Sequence, residues 1–145
     1  EAAFLAGLLH SVDHLIVCQA FPGPMQARFG GARVLRGAEL AEAEADICGL
    51  SFPDVGAAWL DELGFPEPIV HAVALQLDAA WAPPGSLAAV LALATQVCAS
   101  IDVHDSAAQA LAKLDAGLLA AASLAGVLSG EAFDAQYRQI LGGEA

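Results

Sequence analysis

Two histidines four residues apart are the first side chains in this sequence that could do chemistry. His10 and His14, in the string HSVDH, would project from one face of a helix about one turn apart, as a helix presents two ligands to a divalent cation. With Asp13 they spell H-x-x-D-H, an echo of the H-x-x-E-H zinc signature. The echo is partial, because Asp is one methylene shorter than Glu and no downstream Glu or His is placed as a third ligand. The metal set this spacing offers is His10, Asp13 and His14, and its chemistry would be hydrolysis by activated water. The plainer reading makes both histidines hydrogen-bonded or partly exposed side chains off the main apolar stripe. His71 reads as a surface or second-layer residue, and His104, beside Asp102 and Asp105, as a loop residue in a charged pair or cap.

Nucleophile signatures are missing: there is no G-x-S-x-G elbow, and Ser11 beside His10 makes no triad by adjacency alone. Gly30-Gly31 lacks the continuation that would cradle a phosphate. Arg28, Arg33 and Arg36 could grip an anion bidentately. Solvation, or pairing with Glu39, Glu42 and Glu44, explains them as well.

The elements that must position these groups are helical. The chain has 145 residues, 57% of them hydrophobic, 15% charged and 34 of them alanine, with a net charge of −12. That charge excludes a nucleic-acid footprint and disfavours anionic membrane surfaces. It favours a protein, cation or neutral ligand as partner. The length fits one domain, 1–145. The uncharged run Ala79–Ile101 is broken by Pro83, Pro84 and Gly85, and the run 116–128 is shorter, so both read as buried helices rather than membrane spans. Cys18, Cys48 and Cys98 have neither metal nor redox spacing and read as buried thiols in a reducing compartment. The opening at Glu1, without Met or a basic leader, suggests a fragment of a longer, cytoplasmic protein.

No alternation of period two survives along the chain. In residues 1–20, Leu5, Leu8, Leu9, Val12, Leu15 and Ile16 form one apolar stripe, and Phe21-Pro22-Gly23-Pro24 stops that helix. Residues 28–37 read as a connector, and 38–47 as a helix with an acidic outer face closed by Gly49. Ser51 caps a helix to Leu63, and Pro66 starts another to about Asp78. Residues 86–101 are apolar nearly all round, hence central. Asp105 or Ser106 starts a short helix to Leu114, and segments near 116–128 and 130–141 complete an all-α chain of about seven helices without a sheet. Trp59 and Trp81 read as buried packing residues that would anchor an interface only if exposed.

Several strings resemble a known family. AFLAGLLH (3–10) with the following DHLIVCQAFP is similar to the HDOD helix that normally reads A-x-L-A-G-L-L-H-D-I-G. CGLSFPDVGAAWLDELGFPEPIVHAV (48–73) resembles its next block, near G-x-D-H-x-x-V-G-A-x-L-L-x-x-W-G-L-P-x-x-I-V-x-A-I. SLAAVLALATQVCASI (86–101) resembles the helix that ends the metal site of catalytic HD domains in Asp. The motif-bearing part is 1–101, and 102–145 supplies C-terminal helices.

HD-type hydrolases hold metal with His and Asp to attack phosphate esters. The resemblance implies that His10 is their first His, with Ser11 where its Asp belongs. Phe52 stands at a His position, Gln76-Leu77-Asp78 replace a His-rich end, and Thr95 replaces the last Asp. The place around His10 is therefore expected to be apolar and filled by Phe52 and Leu77, with no catalytic residue, metal or cofactor. The implied function is a non-catalytic bacterial signal-transduction or output module. It would act on a protein partner or a neighbouring domain, through an exposed apolar patch, the acidic helix at Glu39–Asp46 or the 28–36 connector, with no nucleic acid and no membrane. Two alternatives stand beside it: a divergent metal-dependent phosphohydrolase using His10, Asp13 and His14, and a structural helical domain that forms a homodimer.

Overall fold

A computed structural model of the chain describes residues 1–30, 35–78, 82–125 and 128–142. Among them there are ten α-helices and no strand. They are α1 (Ala2–Leu9), α2 (Val12–Ala20), α3 (Pro22–Phe29), α4 (Gly37–Cys48), α5 (Phe52–Glu62), α6 (Glu67–Ala74), α7 (Leu87–Asp102), α8 (Ala107–Lys113), α9 (Ala116–Ala121) and α10 (Gly130–Ile140). The sequence leads to about seven because it joins residues 1–20 into one helix and takes the Phe21–Pro24 string as a stop. The chain breaks at His10–Ser11, and Pro22 occupies the first turn of α3, where its missing N–H costs nothing.

Local caps set most of the other boundaries. Gly49 ends α4 at φ +77°, a left-handed position that glycine adopts without a Cβ penalty. At the start of α5 the Asp54 carboxylate accepts hydrogen bonds from the Ser51 backbone N–H, at 3.3 Å, and from its hydroxyl. The Ser106 hydroxyl accepts from the Gln109 N–H, and the Gln109 side chain accepts from the Ser106 N–H in return, a capping box opening α8. Asp115 and Ser129 cap α9 and α10 by accepting from the Leu118 and Ala132 N–H groups, without a return bond.

Two apolar clusters meet on α7. One gathers Ala6 of α1, Leu60 of α5, Ile69, Ala72 and Val73 of α6, and Ala88 and Leu91 of α7. The other packs Ala89, Ala92 and Leu93 against Ala107, Ala110, Leu118, Phe133 and Tyr137 of α8–α10. Helix α7 is thus central, as its all-round apolar sequence implies. The Tyr137 hydroxyl donates to the Asp105 carbonyl at 3.0 Å.

Half of the apolar stripe of residues 1–20 faces outward: Leu5, Leu8 and Leu15 are exposed, while Leu9, Val12 and Ile16 are half-buried. Phe4 is 73% exposed, Leu8 65% and Leu15 61%, while the buried side chains of α1 and α2 are Ala6, Asp13 and Val17. The interruption at His10–Ser11 shifts the phase of α2 relative to α1, so spacing counted straight through mixes side chains of different faces. By length and composition Ala2–Ala20 would suffice to cross a membrane, but it is two helices with a carboxyl on the inward side. Trp59 is 39% exposed rather than buried, and Trp81 lies outside the described residues.

Candidate functional site

The face where α2, α4 and α5 meet buries acid rather than hydrocarbon. Asp13 of α2 and Glu44 of α4 are both fully buried. The sequence already holds the signal: Leu40, Ala43, Glu44 and Ile47 recur at i, i+3, i+4, i+7 on α4, as do Asp13, Ile16, Val17 and Ala20 on α2. Each acid sits inside an apolar stripe, so the helix that buries the stripe buries the carboxyl. The expectation of a purely acidic outer face on α4 is corrected at Glu44, and so is that of a wholly apolar interior near His10.

Asp13 is held tightly. Its Oδ1 accepts from the His14 backbone N–H at 2.9 Å. A Cβ placed on Gly56 of α5 would come within 2.2 Å of Asp13 Oδ2 and 2.8 Å of its Cβ. Only glycine at 56 lets α5 close over this carboxyl. His14 Nδ1 donates to Glu44 Oε1, and the ring of Phe29 meets the imidazole edge-on with centroids 6.4 Å apart. Burial pushes the Asp13 carboxyl up to about 7, the charge of Glu44 adding to the shift and backbone N–H groups opposing it. Burial likewise raises Glu44, against the pull of His14. Asp13 Oδ2 and Glu44 Oε2 are buried without a hydrogen-bond partner. The Asp13 carboxyl is most stable protonated in such a place, because an unpaired buried charge is far more costly than a neutral acid, whereas Glu44 has the His14 imidazole as its partner.

The sequence-derived metal set does not assemble. The His10 ring pairs through Nδ1 with the Gly7 carbonyl at 2.6 Å, His14 turns to Glu44, and Asp13 turns inward onto Gly56. Among the described residues no three His, Cys, Asp or Glu side chains converge as a cation would require. The positions of the resembling HD pattern are closed in other ways. Ser11 is exposed and Phe52 is buried. Gln76, also buried, donates from Nε2 to the His10 carbonyl at 3.0 Å. Thr95 spends its hydroxyl on the Ala92 carbonyl of its own helix. These residues do not fit the metal that HD hydrolases carry.

A family model for the HDOD domain matches residues 1–79, more than half of the chain. The chain belongs to the HDOD family. None of the curated proteins and none of the solved structures compared with it matches. The HDOD match ends before α7, so the likeness of 86–101 to the last HD helix rests on those residues alone. In the HDOD pattern A-x-L-A-G-L-L-H-D-I-G the acid follows the His directly and Gly stands three places after it. Here Ser11 and Asp13 occupy those two places, and Asp13 is buried in the core.

Of the three arginines, Arg36 pairs with Asp102 at the end of α7. Arg28 is exposed in the last turn of α3, and Arg33 lies outside the described residues. His71 is exposed, 3.9 Å from Glu67. Asp105 pairs with Lys113 at 2.5 Å rather than with His104.

Proposed function

We propose that this HDOD protein is a non-catalytic signal-transduction module of a bacterial cytoplasm that works through a protein partner or a neighbouring domain. The observation that carries this reading is the state of the His10 position. Ser11, Phe52, Gln76 and Thr95 stand where HD hydrolases place ligands, and Gln76 and Thr95 use their polar atoms on backbone carbonyls. One imidazole cannot hold a divalent cation by itself. The exposed apolar side chains Phe4, Leu8 and Leu15 support a contact function, since large apolar groups clustered at a surface often mark an interaction site. The net charge of −12 favours that partner over nucleic acid or an anionic bilayer. Cys18, Cys48 and Cys98 as free thiols agree with a reducing compartment.

The test is metal content by elemental mass spectrometry after incubation with Mn²⁺ or Zn²⁺ and desalting. The expected result is under about a tenth of an equivalent. Close to one equivalent, lost in His10→Ala, would restore the hydrolase reading.

A further inference from the structure

Beside the buried acids lies a second constellation that the regulatory reading does not use. Cys18 Sγ is 3.6 Å from His14 Nε2, one helical turn along α2. The opposite ring nitrogen, Nδ1, is committed to Glu44 Oε1. Because a carboxylate can only accept there, Nδ1 carries the proton, and the neutral ring presents an Nε2 lone pair to the thiol. Phe29 holds the ring edge-on from α3, and Glu44 is itself fully buried. Nucleophile, base and orienting carboxylate thus stand in the order that activates a thiol.

The three groups open onto space. A cavity of about 280 Å³ between α2 and α3 is lined by His14, Cys18, Pro22, Met25, Gln26 and Phe29. It is mainly apolar, and Gln26 is its side-chain amide. The excess of acidic charge on the chain disfavours an anion there. Such a space admits a small uncharged molecule with an apolar body and one carbonyl.

We propose that Cys18 is a covalent addition site for small uncharged α,β-unsaturated carbonyl compounds, with His14 as its base and Glu44 as a positioning residue. The thiol proton passes to His14 Nε2 while the sulfur lone pair forms the S–C bond to the β-carbon. The π electrons move onto the carbonyl oxygen as an enolate, and the imidazolium returns the proton to the α-carbon. Nothing leaves and no co-reactant is consumed. Burial, and after it the charge of Glu44, push the Cys18 thiol up. The resting group is therefore S–H, and its reactivity depends on His14 rather than on a free thiolate.

Acrylamide is the probe, with the rate at each cysteine of the whole protein read by peptide mass spectrometry. Cys98 on α7, exposed, is the internal reference. At pH 7 Cys18 is expected to react at least about tenfold faster than Cys98 although it is less accessible. Its rate should fall with the protonation of His14 as the pH is lowered, whereas Cys98 should follow an ordinary thiol profile. Glu44→Gln should lower the Cys18 rate at pH 7 severalfold, because the imidazole loses the carboxylate that orients it, and Glu44→Asp should restore part of that rate. His14→Gln should abolish the advantage with helix content unchanged by circular dichroism. A wild-type Cys18 no faster than Cys98, or one with an ordinary thiol pH profile, overturns the proposal without any variant. The site is distinct from His10 and the readout is a thiol adduct, so its failure would leave the regulatory reading standing, and the reverse.

Discussion

The two ends of this molecule are held together by different physics. From α7 to α10 the interior is mainly hydrocarbon, with Phe133, Tyr137, Leu118 and a row of alanines, and the buried Tyr137 hydroxyl finds a carbonyl. Where α2, α4 and α5 meet, two carboxyls are buried with two oxygens unpartnered. The first arrangement is indifferent to pH. The second stores a proton. The difference teaches that the part matching the HDOD family buries ionisable groups, while the C-terminal helices close over hydrocarbon.

The largest expected effect lies in the hydrocarbon end. Phe133→Ala should cost about 4 kcal/mol by leaving a cavity beside Tyr137. Chemical denaturation should give the same loss at pH 5 and pH 8, and a pH-dependent loss would blur the contrast between the two ends. Gly56→Ala should cost about 3 kcal/mol, since its new Cβ collides with a packed carboxyl. The double variant with Asp13→Gly should recover most of that loss. No recovery would place the collision elsewhere.

Asp13 sets the pH dependence. A carboxyl whose folded pKa is raised from 3.8 to about 7 binds its proton more tightly when folded. Its contribution is fully present below about pH 4 and is lost as pH rises through about 7. Asp13→Asn, which imitates the neutral acid, should be at least as stable as the wild type at pH 5. Its advantage should grow by about 2.5 kcal/mol between pH 5 and pH 8, measured by urea unfolding. A wild type equally stable at pH 5 and 8 would mean that Asp13 ionises without cost. The smallest effect belongs to Tyr137→Phe, about 1 kcal/mol for the bond to the Asp105 carbonyl. Thermal unfolding should show it at every pH, and a loss confined to one side of neutrality would tie the tail to the acidic interior after all.

Caps and periodicity in the sequence were enough for the helical class, the central place of α7, and the starts of α5, α8, α9 and α10. Those features are local: a Ser or Asp side chain reaches a backbone N–H three residues on, and an all-round apolar helix has nowhere to go but inside. The HDOD family was likewise legible in the AGLLH and PEPIV strings. The break at His10–Ser11 was not, because no proline or glycine marks it. Missing it turned Leu5, Leu8 and Leu15 into an expected core when they are exposed.

The burial of Asp13 and Glu44 could be read only in part. Both lie in apolar stripes, but a stripe says which face is covered and not what covers it. That Asp13 meets the bare backbone of Gly56, that His14 turns to Glu44 across 30 residues, and that Cys18 then sits at the free ring nitrogen were decided by the packing of α2 against α4 and α5. Periodicity acts within a turn or two of one helix, whereas a side chain's protonation, partner and reactivity depend on neighbours that only the folded chain supplies.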